Sequence, residues 1–449
     1  MRPNLKSIRL ADSNLSEFSF AIMSAESDGL EEIALVEFFG ENGEKFSESH
    51  FISEYEHRKT QYAWKEFFES RGYKFEKHVN FGYMDVSPPV MTDMEISDGV
   101  FMKIYKSATI FFTKGEEKLA IRIHRSQESY SYSIHSSLET NSIFRDLEKF
   151  SNEKNLYRGK KINCDCGFLK LQEITWDDVI LPTELINVIR ANVDELFTLR
   201  DRLKKYGLSV KRGLILHGDP GTGKTNVCRC LAKDSSFSVL YALPTDFSPQ
   251  RGGVRRICKM AQDLAPCLLI IEDIDWIAQD RAVGNASFVM ELMNQLDGIE
   301  SFGDIITVGT TNALSTLEDA VKNRPGRFDR LIKVGKPDED CRTRMIYTFT
   351  RNYVLSKDVD VKLLASVLDG LTGAHIRDLC ITAALYAVKS NSTEGEKLLL
   401  EKVHFESAVK EVKDKDYSSY MKLQGSKAAF GFNAEQSPGI SDFLDEGML

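Results

Sequence analysis

The fold class of this 449-residue chain follows from one stretch, Gly218-Asp219-Pro220-Gly221-Thr222-Gly223-Lys224-Thr225. It fits the phosphate-loop pattern G-x-x-x-x-G-K-[ST] in full. The stretch follows a predicted strand, Gly213–His217, and opens a predicted helix, which is the setting the pattern requires. Glycines let backbone N–H groups converge on phosphate oxygens, and a helix N-terminus adds positive potential. The stretch therefore predicts a nucleotide-phosphate site on an α/β domain, and a plain glycine turn is disfavoured.

Two residues of this loop have side-chain roles in such sites. Lys224 is expected to reach the β- and γ-phosphates, and the Thr225 hydroxyl is expected to bind Mg²⁺. The complete predicted nucleotide-binding set of the loop is Gly218, Asp219, Pro220, Gly221, Thr222, Gly223, Lys224, Thr225 and Asn226.

A second element delivers carboxylates. The apolar run Leu268–Ile271 is followed directly by Glu272 and Asp273. Ligands bind at the carboxyl ends of strands in parallel sheets, so these acids are expected at the site. One carboxylate must serve Mg²⁺, and its neighbour must orient the attacking water. A solvated acidic turn is the alternative, and the intact phosphate loop disfavours it.

Further polar residues follow the next predicted strand, Ile305–Gly309. Asn312 lies at its tip, where an amide could reach the γ-phosphate or the water, although turn chemistry alone also explains such a residue. Arg324 and Arg327 flank Pro325-Gly326, an arrangement that suits a phosphate clamp. A surface basic turn is the alternative for these arginines.

The chain is predicted to contain several domains, because 449 residues exceed one hydrophobic core. Near the N-terminus, short β-like runs cover Ile33–Phe39, Thr109–Thr113, Leu119–His124 and Tyr130–His135, and a helix-like stretch covers Ser142–Asn155. Beyond Arg212, strands alternate with helices such as Ser287–Leu296, as in a parallel sheet.

Beyond Asp340 the chain is predicted to be helical. Thr372 could cap a helix whose apolar stripe comprises Ile376, Leu379, Cys380, Ala383, Ala384 and Ala387. The tail beyond about Gly425 is glycine-rich and acidic, which predicts disorder. Its Phe443 and Leu444 could form a docking peptide, but composition favours a solvated tail.

Composition narrows the functional classes. The net charge is −9, which disfavours a large nucleic-acid footprint. No apolar run approaches the roughly 18 residues of a membrane span, and the N-terminus resembles no targeting segment. The eight cysteines include two CxC pairs, Cys164/Cys166 and Cys228/Cys230. Reduced structural thiols are favoured over a metal site, and the expected location is the cytoplasm.

Taken together, these motifs resemble the AAA ATPase family in order and spacing, over about residues 176–420. The resemblance implies an α/β P-loop domain with a doubly wound parallel sheet and a small helical lid domain, preceded here by the N-terminal α+β domain. It implies ATP and Mg²⁺ as cofactors. The implied boundaries are 1–155 for the N-terminal substrate or adaptor domain, 156–175 for a linker, 176–340 for the large ATPase domain, 341–424 for the lid and 425–449 for a disordered tail.

The resemblance also implies roles for individual residues. Asp178 and Val179 match the segment whose backbone contacts adenine, and Gly373 and Ala374 match the lid segment that touches adenine and ribose. Asn312 falls on the sensor-1 position. Arg324 and Arg327 match the two arginine fingers, which in this family act on the neighbouring subunit's ATP. The predicted catalytic set is therefore Lys224, Glu272, Asp273, Asn312, Arg324 and Arg327.

The sequence departs from the family pattern at three places. Glu272 and Asp273 invert the usual Asp-Glu order. By position Glu272 would bind Mg²⁺ and Asp273 would orient the attacking water; the alternative is that the two residues have exchanged roles. His375 replaces the usual aspartate. The segment Thr245–Arg251 lacks the aromatic-apolar-glycine triplet of a central-pore loop, with Phe247 as the one residue that could substitute. The inversion and the β-rich segment before the ATPase are similar to the mitochondrial Rieske-protein translocase branch, which has an N-terminal membrane span that this sequence lacks.

The expected function is ATP hydrolysis by a homo-oligomeric ring of six or seven subunits that remodels, disassembles or moves a protein client. An assembly scaffold or sensor with slow ATPase activity is the alternative, favoured by the inverted carboxylates and the weak pore segment. A DNA-acting motor is disfavoured by the acidic charge. The sequence of residues 1–150 identifies no client.

Overall fold

The computed structural model describes residues 29–40, 43–44, 46–81, 86–126, 129–138, 143–171, 174–207, 212–248, 253–279, 292, 295, 304–315, 317, 330–394 and 397–414. The chain divides into two compact units. The first comprises Met1–Thr175, Asn187–His217 and Lys224–Lys333, and the second comprises Trp176–Ile186, Gly218–Gly223 and Val334–Leu449. The predicted tail lies outside the described residues, as does most of the predicted helix Ser287–Leu296.

The N-terminal part of the first unit is built on an antiparallel sheet. Among the described residues its strands are β1 Phe46–Ser53, β2 Lys74–Phe81, β3 Val86–Ser87, β4 Val90–Ser97, β5 Val100–Lys114, β6 Glu117–Arg125 and β7 Ser129–Ser136. Their order is β1-β7-β6-β5-β2-β3, with β4 paired to β5. The strands predicted over Leu119–His124 and Tyr130–His135 are confirmed, since they lie in β6 and β7, which pair antiparallel from Leu119↔Ser136 to Arg125↔Tyr130.

Three helices accompany this sheet: α1 Gly29–Phe39, α2 Glu54–Ser70 and α3 Ile143–Glu153. The helix predicted over Ser142–Asn155 is confirmed by α3. The strand predicted over Ile33–Phe39 is wrong, because these residues lie in α1. The buried residues of α1 recur with helical rather than alternating spacing, and they are Leu30, Ala34, Leu35 and Phe39.

The second sheet of the first unit is parallel, as predicted. Its described strands are β8 Lys161–Asn163, β9 Arg212–His217, β10 Ser238–Ala242, β11 Cys267–Ile271, β12 Ile305–Thr311 and β13 Arg330–Lys333. Their order is β13-β9-β12-β11-β10-β8, and every pairing is parallel. All residues of β10, β11 and β12 are buried, as in a sheet covered on both faces. Strand β8 comes from the segment predicted as a linker.

Helices follow or precede these strands. They are α4 Thr183–Arg190, α5 Leu196–Thr198, α6 Arg200–Lys205, α7 Lys224–Asp234, α8 Gly253–Asp263 and α9 Ile274–Gln279, with a π-helical turn at Ala191–Glu195 and 3-10 turns at Trp176–Asp178 and Pro244–Phe247.

The C-terminal part of the second unit is mainly helical. Its helices are α10 Glu339–Thr350, α11 Val361–Val367, α12 Gly373–Lys389 and α13 Lys402–Asp414. The predicted apolar stripe of α12 is buried along its whole length. Three short strands were not predicted, namely β14 Val354–Leu355, β15 Thr393–Glu394 and β16 Lys397–Leu400. No helix in the described part of the chain is both long and apolar enough to cross a membrane.

Candidate nucleotide site

The phosphate loop connects β9 to α7. Strand β9 ends at His217, the loop occupies 218–223, and α7 begins at Lys224. The strand–loop–helix context required by the motif is therefore present. The first-turn N–H groups of α7 have no partners within the helix, so this end suits an anion. The Lys224 side chain is buried, and Thr225 and Asn226 follow in the first turn.

Glycine is required in this loop for steric reasons. At Gly218 an added Cβ would lie 2.1 Å from the carbonyl oxygen of Val334. At Gly221 the backbone has φ of +79°, and a Cβ would lie 2.6 Å from the Ala374 Cβ. The chain passes too close to its surroundings for side chains at both positions, which fits a loop shaped as a backbone cradle for phosphate.

The loop contacts the second predicted nucleotide segment within the second unit. The Ala374 N–H donates to the Gly221 carbonyl at 3.1 Å. Gly373 begins α12, and Thr372 occupies the N-cap position as predicted, with extended backbone. The Thr372 N–H donates to the His375 Nδ1 at 3.3 Å. His375, the departure from the family's aspartate, thus helps to cap the helix next to the loop.

The loop has further polar contacts in the same unit. The Thr222 hydroxyl donates to the Asp219 carbonyl at 2.9 Å. Lys336 Nζ lies 3.8 Å from Asp219 Oδ2, a half-exposed pair of little energetic weight. Pro220 is exposed.

The predicted adenine segment is anchored to the helices of the second unit. Val179 is buried, and Ile180 packs in the helical core. Asp178 Oδ1 lies 3.5 Å from Arg351 Nη1. The Leu181 carbonyl accepts from Arg344 Nη1 at 3.4 Å. These contacts fix the backbone that precedes α4.

In the first unit, the ends of two adjacent strands bring Asp273 and Asn312 together. Strands β11 and β12 pair in parallel with Ile271 opposite Gly309, so both chains leave the sheet at one edge. Asn312 Nδ2 donates to Asp273 Oδ1 at 3.3 Å. The Asp273 N–H donates to the Thr310 hydroxyl at 2.9 Å, which supports a positive φ of 46° at Asp273.

The electrostatics distinguish Asp273. Partial burial raises the pKa of its carboxyl, and the nearby carboxylates Asp275 and Glu272 raise it further. Lys224 and the hydrogen bond from Asn312 oppose this rise in pKa. A raised pKa in a carboxylate at the ligand-binding edge of a parallel sheet marks Asp273 as a candidate for proton transfer.

Glu272 has different neighbours. Its Oε1 accepts a hydrogen bond from the Tyr241 hydroxyl of the adjacent strand at 2.7 Å. Burial, Cys228 and Glu272 together raise the pKa of Tyr241, so the phenol stays protonated as the donor. Both residues line a cleft of about 480 Å³. Glu272 and Asp273 are neighbours in sequence, but their side chains have separate sets of partners.

The predicted site residues are therefore distributed as follows. Lys224, Thr225, Asn226, Glu272, Asp273 and Asn312 belong to the first unit, and Asp178, Val179, Gly218–Gly223, Gly373 and Ala374 belong to the second. The predicted arginine fingers Arg324 and Arg327 lie outside the described residues.

Sequence reasoning missed three supporting residues. Thr310 accepts from the Asp273 backbone, and Tyr241 holds Glu272. Asp275 is buried and its Oδ1 accepts the Asn312 backbone N–H at 3.1 Å, so it fixes the backbone from which the Asn312 side-chain amide reaches Asp273. Asp275 is two residues beyond Asp273 in the sequence, and the acidic residues at 272, 273 and 275 directly after the apolar strand were the available signal.

The segment at the family's pore-loop position has a buried aromatic. Phe247 ends the 3-10 turn Pro244–Phe247, is 3% exposed and packs in the core with Ile257 and Leu269. The prediction that Phe247 could replace the gripping aromatic is therefore wrong, because a buried ring cannot hold a client. Residues 249–252 lie outside the described part.

The two CxC pairs are buried, and all eight cysteines are free thiols. Burial raises the pKa of Cys166 to about 12 and raises those of Cys164 and Cys228 well above the ordinary value. A thiol that stays protonated is a poor nucleophile and a poor metal ligand.

Residues 214–336 match the model of the ATPase family associated with various cellular activities (AAA). The chain carries an AAA ATPase domain. The matched segment runs from β9 to just beyond β13 and includes Lys224, Glu272, Asp273 and Asn312. The predicted enzyme type is thereby confirmed for this domain, and ATP with Mg²⁺ is what such ATPases use.

Several known proteins are similar to this chain. The ATP-dependent zinc metalloprotease FtsH 2 of Thermoanaerobacter sp. (strain X514) is 33% identical over 248 residues, which are 53% of this chain and 47% of the relative. The proteasome-activating nucleotidase of Methanothermobacter thermautotrophicus is 29% identical over 49% of this chain and 57% of the relative. That of Archaeoglobus fulgidus is 30% identical over 48% and 57%. The chain thus spans about half the length of these relatives.

Proposed function

We propose that this chain hydrolyses Mg²⁺-ATP and uses the energy to remodel, disassemble or move a protein. The observation that carries the proposal is the hydrogen bond from Asn312 to Asp273, at the ends of adjacent strands, in a domain with a complete phosphate loop. This arrangement places an oriented carboxylate where parallel sheets bind ligands.

The residues present fit the nucleotide and its ion. The backbone of 218–223 would cradle the phosphates, because Gly218 and Gly221 leave no space for side chains there. Lys224 would neutralise phosphate charge, and Thr225 with Glu272 would hold Mg²⁺, which prefers oxygen ligands. Bound Mg²⁺ would supply charge stabilisation for the transferred phosphoryl group. Gly373, Ala374, Asp178 and Val179 would bind the nucleoside.

Asp273 is proposed as the residue that orients the attacking water and accepts its proton. Its hydrogen bond from Asn312 and its raised pKa support this role. Glu272, held by Tyr241, is proposed for the Mg²⁺ shell. In this assignment each residue takes the role that its position in the motif has in the family, so the first acidic residue serves Mg²⁺ and the second serves the water.

The working form is proposed to be a homo-oligomeric ring of six or seven subunits acting on a protein client. Arg324 and Arg327 would act on the ATP of the neighbouring subunit. Residues 1–155 would recognise the client, and residues 341–424 would form the lid. The relationship to the Rieske-protein translocase branch is part of this proposal, and the Glu272-Asp273 order and the β-rich N-terminal part support it.

A scaffold or sensor with slow turnover is the second candidate. The burial of Phe247 favours it over a threading motor, because no aromatic at the described pore-loop positions is exposed to grip an extended chain. A translocase that moves folded clients is equally compatible with this burial. The turnover number and its stimulation by a client distinguish a motor from a scaffold.

The decisive experiment compares wild type with Lys224→Ala. Loss of the lysine should lower ATP turnover by about 100-fold or more, because a preorganised charge at the phosphates is removed. Lys205→Ala, an exposed lysine on α6, is the matched control and should keep wild-type turnover. Equal turnover in all three proteins would refute the proposed ATPase site.

Asp273→Asn should bind ATP without hydrolysing it, and this variant is used to test for the ring and for its client. Light scattering with ATP should show an oligomer several times the mass of the chain, and affinity capture from the native host should enrich one protein over the Lys224→Ala control. A strict monomer in all nucleotide states would contradict the ring.

A further inference from the structure

The first unit contains a second cleft, separate from every residue of the candidate nucleotide site. Its volume is about 890 Å³, near the upper end of the roughly 300–1,000 Å³ of ligand sites. The N-terminal sheet and α2 form one side, and α8 of the ATPase part forms another.

The cleft is basic, although the whole chain has a net charge of −9. Three acids line it, Glu54, Glu56 and Asp165. Six cations line it, and they are Arg58, Lys106, Arg125, Arg255, Arg256 and Lys259. An excess of positive charge within a concave surface raises the local concentration of anions.

Most of this positive charge is not neutralised locally. Arg58 pairs with Glu54 at 2.7 Å, and Lys259 lies 3.6 Å from Asp263. Within the described residues, Lys106, Arg125 and Arg255 have no carboxylate within 4.0 Å. They come from β5, β6 and α8, so the charges are spread along the cleft.

Arg256 provides a built feature at the wall of the cleft. Its Nη1 donates to the Cys164 carbonyl at 2.9 Å, which fixes the guanidinium in place. Its Nη2 donates to the Asp246 carbonyl at 3.5 Å, so this wall of the cleft carries a positive charge held in one position.

The cleft is bordered by the end of an edge strand. Phe51, Ile52 and Ser53 line it, and they end β1, which pairs only with β7 among the described strands. Phe51 is 79% exposed at this end of the strand. An extended peptide in the cleft can therefore contact an aromatic ring as well as the spread cations.

We propose that this cleft binds an extended acidic segment of a partner protein. Carboxylates of the segment pair with Lys106, Arg125 and Arg255, and the segment lies along the cleft. A single phosphate group needs cations converging on one point, whereas these are distributed. A nucleic acid is disfavoured by the acidic charge of the chain as a whole. The identification of the partner as a client rests on the proposed function, whereas the binding itself does not.

The test uses fluorescence anisotropy with a labelled alternating Glu-Val peptide of eight residues, the length of β1. The full chain should bind it, and salt should weaken binding because the contacts are exposed charges. The double variant Lys106→Glu/Arg255→Glu should bind at least about tenfold more weakly, since two attractions become repulsions. Arg145→Glu/Lys149→Glu reverses two exposed charges on α3 outside the cleft and should bind within about twofold of wild type. Circular dichroism confirms that each variant is folded.

Several results would overturn the site. These are equal weakening in both double variants, equal affinity for a Lys-Val peptide, or displacement of the acidic peptide by inorganic phosphate or by oligothymidylate at comparable concentration. Measuring binding without ATP, in wild type and in Lys224→Ala, separates the two proposals. Peptide binding by a wild-type chain that shows no ATPase activity would refute the proposed function and leave the cleft standing.

Discussion

Replacing Asp273 by Asn and Glu272 by Gln separates the roles of two adjacent carboxylates. Each change removes one negative charge and nearly preserves the shape of the side chain. The structure gives the two residues different partners, Asn312 for Asp273 and Tyr241 for Glu272. The consequences for turnover and for Mg²⁺ should therefore differ.

In Asp273→Asn the new amide oxygen can still accept the hydrogen bond from Asn312 Nδ2, now 3.3 Å from Asp273 Oδ1. What is lost is the basic group. General-base assistance contributes about 10²–10⁴-fold, so the barrier should rise by about 3–5 kcal/mol. ATP affinity should be retained or increased, because a negative charge near Lys224 and the phosphates is removed.

In Glu272→Gln the amide oxygen can still accept from the Tyr241 hydroxyl, which keeps the side chain in place. The lost charge should weaken Mg²⁺ binding, and disturbed metal ligation commonly lowers affinity by about 10–100-fold. Turnover should therefore recover in part as the Mg²⁺ concentration rises, which Asp273→Asn should not do.

The assay is steady-state ATP hydrolysis over a range of Mg²⁺ concentrations, together with binding of a fluorescent ATP analogue. Full turnover in Asp273→Asn would refute its role. Mg²⁺-dependent recovery in Asp273→Asn and its absence in Glu272→Gln would mean that the inverted pair has exchanged roles.

Three further predictions concern pH and stability. As the pH is lowered, turnover should begin to fall at a pH above about 3.9, the usual pKa of an aspartate, because the pKa of Asp273 is raised and only its ionised form accepts a proton. Asp273→Asn should lack this acid limb of the pH–rate profile. Burial lowers the pKa of His57 from 6.5 to about 3, so the stability it contributes is present above pH 6.5 and is lost as the pH falls toward 3. Between pH 7 and 5 the loss should be about 2 kcal/mol in denaturant titrations, and a His57→Gln variant should show less of it. Lys59→Met removes the buried partner of Asp263 at 3.0 Å and leaves only the more exposed Lys259 at 3.6 Å, so it should lower the unfolding free energy by about 3 kcal/mol, the lower end of the range for a broken buried pair. A Lys59→Met/Asp263→Leu variant should recover part of this in thermal melts, and no recovery would mean that the pair is not coupled.

The elements that could be predicted are those whose pattern is local. The strands β9, β11 and β12 are apolar runs bounded by turn residues or charge, and each was placed within two residues at its bounds. The phosphate loop has a defining pattern. Asn312 approaches Asp273 because β11 and β12 are neighbouring parallel strands that end at the same edge of the sheet.

The elements that were missed have polar residues where a core face was expected. Helix α2 was not predicted because its buried face includes His57, Lys59 and Gln61, which interrupt an apolar stripe. Each has a partner far away in sequence: Tyr132 for His57 and Gln61, and Asp263 for Lys59. Tertiary pairing of this kind leaves no periodic signal.

Other features depend on context that a single sequence lacks. Strand β8 has three residues, too few to show a period, and it exists because it pairs with β10. The burial of Phe247 also depends on residues distant in sequence, since Tyr55 and Ile257 belong to the same core. The exposure of an aromatic residue at the pore-loop position therefore depends on tertiary packing, which leaves no local signal in the sequence.

The same contacts explain how the N-terminal part could follow the ATPase sheet. Lys59 of α2 reaches Asp263 at the end of α8, and both side chains are at least nine-tenths buried. Tyr55 of α2 packs in the core that also contains Ile257 of α8. Breaking a buried ion pair by separating its partners costs several kcal/mol, so α2 and α8 should move together rather than slide. A rotation of the ATPase sheet during turnover would then carry the basic cleft with it, because that cleft is formed by these same two helices and the strands beside them. Force would reach a client through this connection without any residue of the pore-loop segment gripping an unfolded chain.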